Sequence, residues 1–346
     1  MTSPPMKKPN RIMIGLVLLS LVVASVLIYL WAPSFASRYG RIADSPIAGQ
    51  RNSGQADAGS DIFNGNLYVV GGYGYGANDR LDSVSIFSST NGTWSVGPRY
   101  PVRAWGLACA ALGKSLYCFG GLGAGPRVFK LEGDSKSWIR LKDMPSGYNN
   151  SQGHVAIPDP VGNQILIMGS SNDLLVSNNT WAYQIDTDSY VRKHDMPQGN
   201  AWFTAALFHG TIYTFGGSLR FQPIGNTIYA YDVNNDSWKQ LSTKLPGPAR
   251  YGMIRNPGVI DGIVPIVDGY ASGSSFYNLT YFYDVQKDSF VRGTDTLLPR
   301  DGITGGIIGH DLLVTGGRNV RGSILSPLMG LRFAEKLDLD PYLAFA

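Results

Sequence analysis

Arginine is the residue type through which this 346-residue chain could do recognisable chemistry. Arg51, Arg103, Arg250 and Arg300 recur at spacings close to multiples of 50 residues, with Asn150 and Asn200 at the matching places between them. Arg80, Arg127, Arg220, Arg318 and Arg321 add to these from stretches that also carry Tyr73, Tyr75, Phe221, Tyr270 and Phe276. A guanidinium is a planar fork of N–H donors that pairs bidentately with a carboxylate or sulfate, while aromatic faces stack on a sugar or a side chain. The expected ligand is therefore a protein or glycan carrying an acidic group. A second role is open to the repeated arginines: hydrogen bonds that tie one loop to its neighbour. Asp79, Asp173 and Asp301 partly offset the loop charges.

The elements that must position these residues are repeats. Strands ending in Gly-Gly appear as NLYVVGG, SLYCFGG, TIYTFGG and DLLVTGG, with weaker copies in QILIMGS and IVPIVDG. Their landmarks at Gly71, Gly120, Gly169, Gly216, Asp268 and Gly316 lie 49, 49, 47, 52 and 48 residues apart. Six residues before each comes a tight turn, of which Asn64-Gly65 and Asp261-Gly262 are strong type I′ hairpin signals. Downstream of five landmarks, Phe87, Leu131, Tyr183, Tyr231 and Tyr283 each precede by seven residues an aromatic: Trp94, Trp138, Tyr190, Trp238 and Phe290. This spacing predicts six copies of one four-stranded antiparallel sheet, with rings filling the wedges between sheets.

These motifs, above all IYAYDVNNDSW and YFYDVQKDSF behind a Gly-Gly strand, resemble the kelch repeat, which is also found in the propeller of galactose oxidase. The resemblance covers about 300 residues and implies an all-β, six-bladed kelch-type propeller. Blade three lacks the second glycine of the landmark and blade five the first. Only GLRFAEKLDLDPYLAFA remains for the last blade, so residues 39–43 are expected to supply its missing strand: Tyr39 stands 12 residues before Arg51, as Trp238 stands 12 before Arg250. The propeller is assigned residues 39–346. In such a ring the loops between strands two and three and those joining blades share one face, and the arginines fall there.

The resemblance raises copper oxidation, which the inventory does not support. Only His154, His194, His209 and His310 exist, and His209 and His310 fall at hairpin tips on the other face. No zinc spacing, nucleophile elbow or phosphate loop is found, and no cofactor or metal is expected. The alternative to a binding module is a carbohydrate enzyme resembling the sialic acid mutarotases, acting on an acidic sugar with Asp301 as base beside Arg300.

The hairpin register makes Cys109 and Cys118 direct cross-strand partners. A disulfide is expected if the compartment is oxidising; two small buried hydrophobes are the alternative. N-x-S/T motifs stand at Asn91, Asn149, Asn178, Asn235 and Asn278 as candidate glycosylation sites, Asn91 and Asn235 being weakened because the repeated turn uses them.

Residues 12–32 are 21 residues without a charge, enough to span a roughly 30 Å hydrocarbon layer. Lys7, Lys8 and Arg11 precede them, which predicts that residues 1–11 stay cytoplasmic and that the propeller faces the lumen or exterior, as in a single-pass type II protein of the Golgi or cell surface. Ser34-Phe35-Ala36 resembles a signal cleavage site, but the apolar core exceeds the roughly 7 to 15 residues of a signal peptide. The net charge of +4 resides before Tyr39, where Lys7, Lys8, Arg11 and Arg38 reduce 29 basic groups to 25 against 25 acidic ones. A neutral propeller gives no reason to expect nucleic acid as a partner.

Overall fold

Each landmark ends the second strand of an antiparallel sheet, and six such sheets form a ring. The computed structural model describes residues 39–44, 55–74, 80–148, 151–172, 175–271, 275–318 and 333–343. Blade one runs through Gly59–Phe63, Asn66–Val70, Val84–Ser88 and Trp94–Val96, and the next three repeat that order up to Ser237–Lys244. Blade six comprises Asp301–Ile308, Asp311–Arg318 and Phe333–Asp338, and Tyr39–Asp44 pairs with the last of these as its fourth strand. Residues 12–32 lie outside the described residues. Among those described, no helix is long and apolar enough to cross a membrane.

The glycine that opens each landmark is explained by close approach. A Cβ on Gly71, Gly169, Gly216 or Gly316 would lie within 2.6 Å of the carbonyl oxygen of the residue entering the next blade. The following residue's N–H donates to that same oxygen in most blades, as from Gly217 to Arg250 and from Gly317 to Gln55. The repeat therefore encodes a stitch between neighbours as well as a turn. In blade five the position is Asp268, which takes the same left-handed conformation at φ 56° despite its side chain.

Blade five also departs from the expected four strands. Its sheet has three, Ile263–Ala271, Ser275–Asp284 and Ser289–Arg292. Asp261 and Gly262 form the expected turn with φ of 50° and 82°, but the strand before it reaches only the bridge from Ile260 to Ile263. The cause lies in Arg255-Asn256-Pro257-Gly258: the proline has no N–H for a ladder, and Gly258 sits at φ 82°. This segment bonds sideways instead, its Arg255 and Pro257 carbonyls accepting from Ala205 in blade four and Ile307 in blade six.

Apolar residues on the two faces of each sheet build one core per interface between blades. Tyr117 and Phe119 of blade two meet Ile165, Ile167 and Tyr183 of blade three, for example, and Leu67, Val69 and Phe87 of blade one meet Leu313 of blade six. Polar locks border these cores. Asp188, Asp236 and Asp288 each adopt positive φ in the hairpin between strands three and four. Each accepts the hydroxyl of the tyrosine five residues earlier, Tyr183, Tyr231 or Tyr283, at 2.8, 2.6 and 2.6 Å. Asp188 and Asp236 also accept a backbone N–H from the preceding blade, at Lys142 and His194. That is the physical content of the repeated Tyr-Asp-aromatic pattern.

Cys109 and Cys118 are opposite one another and form a disulfide, with Cα atoms 4.1 Å apart and both side chains buried. It staples the first two strands of blade two.

Candidate functional site

Where the chain enters each blade, one residue takes a positive φ: Asp57, Gly106, Gly153, Trp202, Gly252 and Gly302. Their backbones close a ring around the axis. Gly106 N–H donates to Asp57, Gly153 to Gly106, Trp202 to Gly153, Gly252 to Trp202, Gly302 to Gly252, and Asp57 back to Gly302, at 2.7 to 2.9 Å. Glycine holds four of these positions because the left-handed region costs other residues roughly 1–2 kcal/mol. The two exceptions, Asp57 and Trp202, carry side chains of the mouth just above the ring.

That mouth is an open cavity of about 270 Å³ lined by Asp57, Trp105, Trp202, Phe221, Tyr251, Asp301 and Arg318. Arg318 is central to it. Its Nη1 lies 3.0 Å from Asp57 and its Nε 3.0 Å from Asp301, and both carboxylates are buried beneath it. These two acids raise the guanidinium's pKa above its ordinary value, although burial opposes them. The guanidinium is thus rigid, fully charged and about a quarter exposed. Trp105 and Trp202 stack at 5.9 Å, and Tyr73 meets Trp105 edge to face. The Trp202 ring covers Gly153 and Gly106, so no Cβ could be added at either without striking it. Tyr251, Tyr270 and Phe276 continue the aromatic wall on blade five.

Phe221 reaches this mouth from a two-residue turn between Ser218–Leu219 and Gln222–Pro223. Both turn residues, Arg220 and Phe221, have positive φ, at 51° and 62°. A type I′ turn normally uses Asn-Gly. Two bulky residues there store strain, which in folded proteins concentrates at functional sites.

The expected arginine set divides. Arg250 is fully buried: its Nε donates to the Asp268 carbonyl at 3.1 Å and its Nη1 to the Pro246 and Pro248 carbonyls. Burial pulls its pKa down to about 10. Arg300 is also fully buried, bonded to Asp268, Glu335 and the Gly316 carbonyl. Gln55 and Asn200 make the equivalent bonds, to the Gly71 and Gly216 carbonyls at 2.9 and 3.0 Å. The entry position therefore holds the landmark in place, and it stands two residues before the hydrogen-bonded ring. Arg103 precedes Gly106 by three residues rather than two, and that one-residue slip leaves it exposed. Arg80, Arg127 and Arg220 are exposed as well. Arg51, Arg321 and Tyr75 lie outside the described residues, and Gln55 occupies in blade one the place expected for Arg51.

The remaining candidates are dispersed. His154 is buried with Nε2 3.0 Å from the Phe119 carbonyl, and burial lowers its pKa to about 3. His194 and His310 pair with Asp236 and Asp340, and His209 stacks on Phe208. Among the described residues no three or more His, Cys, Asp or Glu side chains are grouped to hold a metal. Asn178 and Asn278, two of the candidate glycosylation sites, also serve the fold. They occupy the same repeat position as Asn226, and the Nδ2 of each donates to a backbone carbonyl, of Met196, Thr296 and Gly247 respectively. One of the two N–H donors on each of these side-chain nitrogens is thus used by the fold. Asn235 Nδ2 bonds Asp232, Asn91 is held in its turn by Thr93, and Asn149 lies outside the described residues.

Asp57, Trp105, Trp202 and Tyr251 escaped the sequence reading. The available signal was the register itself: aligning the copies at the ring position shows glycine interrupted by Asp57 and Trp202.

Comparison with known proteins follows the same repeats. The Kelch motif matches residues 56–99 and 203–245, which span blades one and four. Kelch-like protein 23 of Homo sapiens is 22% identical over 228 residues, covering 64% of this chain and 38% of that protein. Kelch-like protein 38 of Mus musculus is 24% identical over 252 residues, covering 68% and 40%. Kelch domain-containing protein SSO1033 of Saccharolobus solfataricus is 26% identical over 230 residues, covering 65% and 30%. The chain thus spans less than half the length of these relatives. A solved structure described as "Structure of YjhT" superposes with a TM-score of 0.68 at 13% identity, covering 81% of this chain and 94% of that one, which is a likeness of fold. With kelch motifs in two blades, the chain carries kelch repeats within a six-bladed propeller of the kelch type.

Proposed function

We propose that the chain is a protein-interaction module that takes its partner on the mouth face, with Arg318 receiving an acidic group of that partner. The carrying observation is Arg318 clamped between Asp57 and Asp301 and framed by Trp105, Trp202, Tyr251 and Phe221. A preorganised guanidinium loses little entropy on binding a carboxylate, and buried aromatic and arginine anchors dominate interface energies. Arg80, Arg103, Arg127 and Arg220 are exposed on the loops between strands and blades and suit the same charge. The kelch-like relatives favour a protein partner over a glycan. The enzyme alternative is weaker, because Asp301, its candidate base, is buried and held by Arg318.

The propeller is placed in this reading on the non-cytoplasmic side of a membrane, held by residues 12–32. The uncharged length of that segment and the disulfide, which persists in oxidising compartments, support it. Alkaline carbonate washing should leave the chain in the membrane pellet, and its release would end the anchor.

To test the binding face, a random peptide library displayed on phage is panned on the full chain. Acidic peptides should be enriched. Phe221→Ala, an exposed substitution, should weaken the selected peptides about 30-fold, which corresponds to a hot spot of roughly 2 kcal/mol. Equal binding by Phe221→Ala and by Arg318→Lys would remove the mouth from the interface.

A further inference from the structure

Beneath the hydrogen-bonded ring lies a second, small open cavity, lined by Arg255, Asn256, Ser60, Thr304, Ala108 and Ala156 among others. Blade five lines it with an irregular segment in place of an inner strand. The irregular segment that replaces the strand sends Arg255 across the axis to three other blades: Nη1 reaches the Gly106 and His154 carbonyls at 3.2 and 3.4 Å, and Nη2 the Ala58 carbonyl at 2.5 Å. Its guanidinium lies 5.6 Å from the Trp202 ring, the same ring that lines the mouth.

The charge of Arg255 is poorly balanced. Among the described residues it makes no ion pair, and its three acceptors are neutral carbonyls. One of these, the Gly106 carbonyl, already accepts the Gly153 N–H of the ring. Asp57 is the acid that acts on it electrostatically, and that carboxylate is committed to Arg318 on the mouth side. Burial lowers the pKa of Arg255 to about 10, so it stays charged at neutral pH. A guanidinium has five N–H donors. Nη1 supplies two bonds and Nη2 one, which leaves the Nε donor and one on Nη2 unassigned. Ser60 and Asn256 stand in the same cavity with further O–H and N–H donors. A second carboxyl, Asp61, lies 3.5 Å from Asn256 Nδ2 and takes a backbone N–H from Ala111. Desolvation pushes it up to about 7, so its negative charge is weakened where it would compete.

A half-buried cation with no ion-pair partner beside it attracts an anion, and several donors around that position help to hold one. We infer that this axial cavity is a binding site for a small inorganic anion of the halide class, held by Arg255 with Ser60 and Asn256 and separated from the mouth by the backbone ring and Trp202. The site is independent of the partner-binding reading, since nothing that enters the mouth need pass the ring.

Bromide is the probe. In a crystal of the propeller soaked in bromide, an anomalous peak should appear within hydrogen-bond reach of Arg255. In solution, bromide added to gluconate buffer at constant ionic strength should raise the melting temperature in proportion to the logarithm of its concentration above the dissociation constant, by about 4 °C at a hundredfold excess over it. Arg255→Met should abolish this rise, and Ser60→Ala, a milder change, should move its onset severalfold to higher bromide. A soaked crystal with no peak at Arg255, or a bromide response unchanged in Ser60→Ala and Arg255→Met, overturns the site. If Arg255→Met does not fold, the crystal and Ser60→Ala decide.

Discussion

Arg300→Met should destabilise the propeller by about 3–5 kcal/mol, the cost of leaving a buried charge without its partner. Arg300 lies between Asp268 and Glu335, and all three side chains are fully buried at the interface of blades five and six. Removing the guanidinium strands two carboxylates in the interior. Thr296 donates its hydroxyl to Asp268, and the Leu297 N–H donates to Glu335 at 2.8 Å, neither of which supplies a charge. The pH dependence identifies the cause. Burial already raises Asp268 to about 7 and raises Glu335. A folded pKa above the unfolded value near 4 means the folded state holds a proton that the unfolded state has shed, so this contribution falls as pH rises from about 4 through 7. Without Arg300 both carboxyls shift further up. The deficit of Arg300→Met should therefore be greatest in alkaline urea melts and shrink below about pH 5. Adding Asp268→Asn and Glu335→Gln should restore most of the loss at pH 8. A deficit independent of pH would point to lost packing instead.

Deleting residues 1–44 should have an effect of similar size. The deletion takes away the strand Tyr39–Asp44, whose register against Phe333–Asp338 runs from Tyr39 opposite Leu337 to Asp44 opposite Phe333. With each backbone hydrogen bond contributing about 1 kcal/mol net, the lost pairing amounts to about 4 kcal/mol. It also exposes a sheet edge able to pair with another molecule. The expected result is a lower urea midpoint together with concentration-dependent aggregation, while a chain beginning at residue 35 keeps its midpoint. An unchanged midpoint for residues 45–346 would show the ring closed without that strand. Glu335 stands on the strand uncovered by the deletion, so the deletion and Arg300→Met should not add.

What could be read in the sequence was whatever the repeat states six times. The Asn64-Gly65 turn, the opposition of Cys109 and Cys118, and the tyrosines at 183, 231 and 283 all follow from local pattern plus register. What could not be read depended on differences of a single residue. Arg103 and Arg250 look alike by spacing, yet one is exposed and the other buried, because their offsets from the ring position differ by one. Asn178 and Asn278 satisfy a glycosylation motif and simultaneously a repeat position whose hydrogen bond a motif cannot display. The missing strand of blade five was masked by a correct turn signal at Asp261-Gly262, since turn chemistry is local and the proline four residues earlier decides what precedes it. The mouth was hidden for a further reason. Its tryptophans, Trp105 and Trp202, belong to no repeated motif, and only the closed ring shows which way the entry residues face.

The ring of six amides has an electrostatic consequence. All six N–H groups point to the preceding blade, so the peptide dipoles chase one another round the axis and their vector sum is close to zero. A helix end projects a field along its axis, and this hoop projects none. It also has no first donor and no last acceptor, so no end remains for water to enter or for a ligand to satisfy. The hoop as a whole therefore lends no net field to the mouth above it or to the cavity below it. A preference of either for charge comes from outside the hoop, from Arg318 on one side and Arg255 on the other.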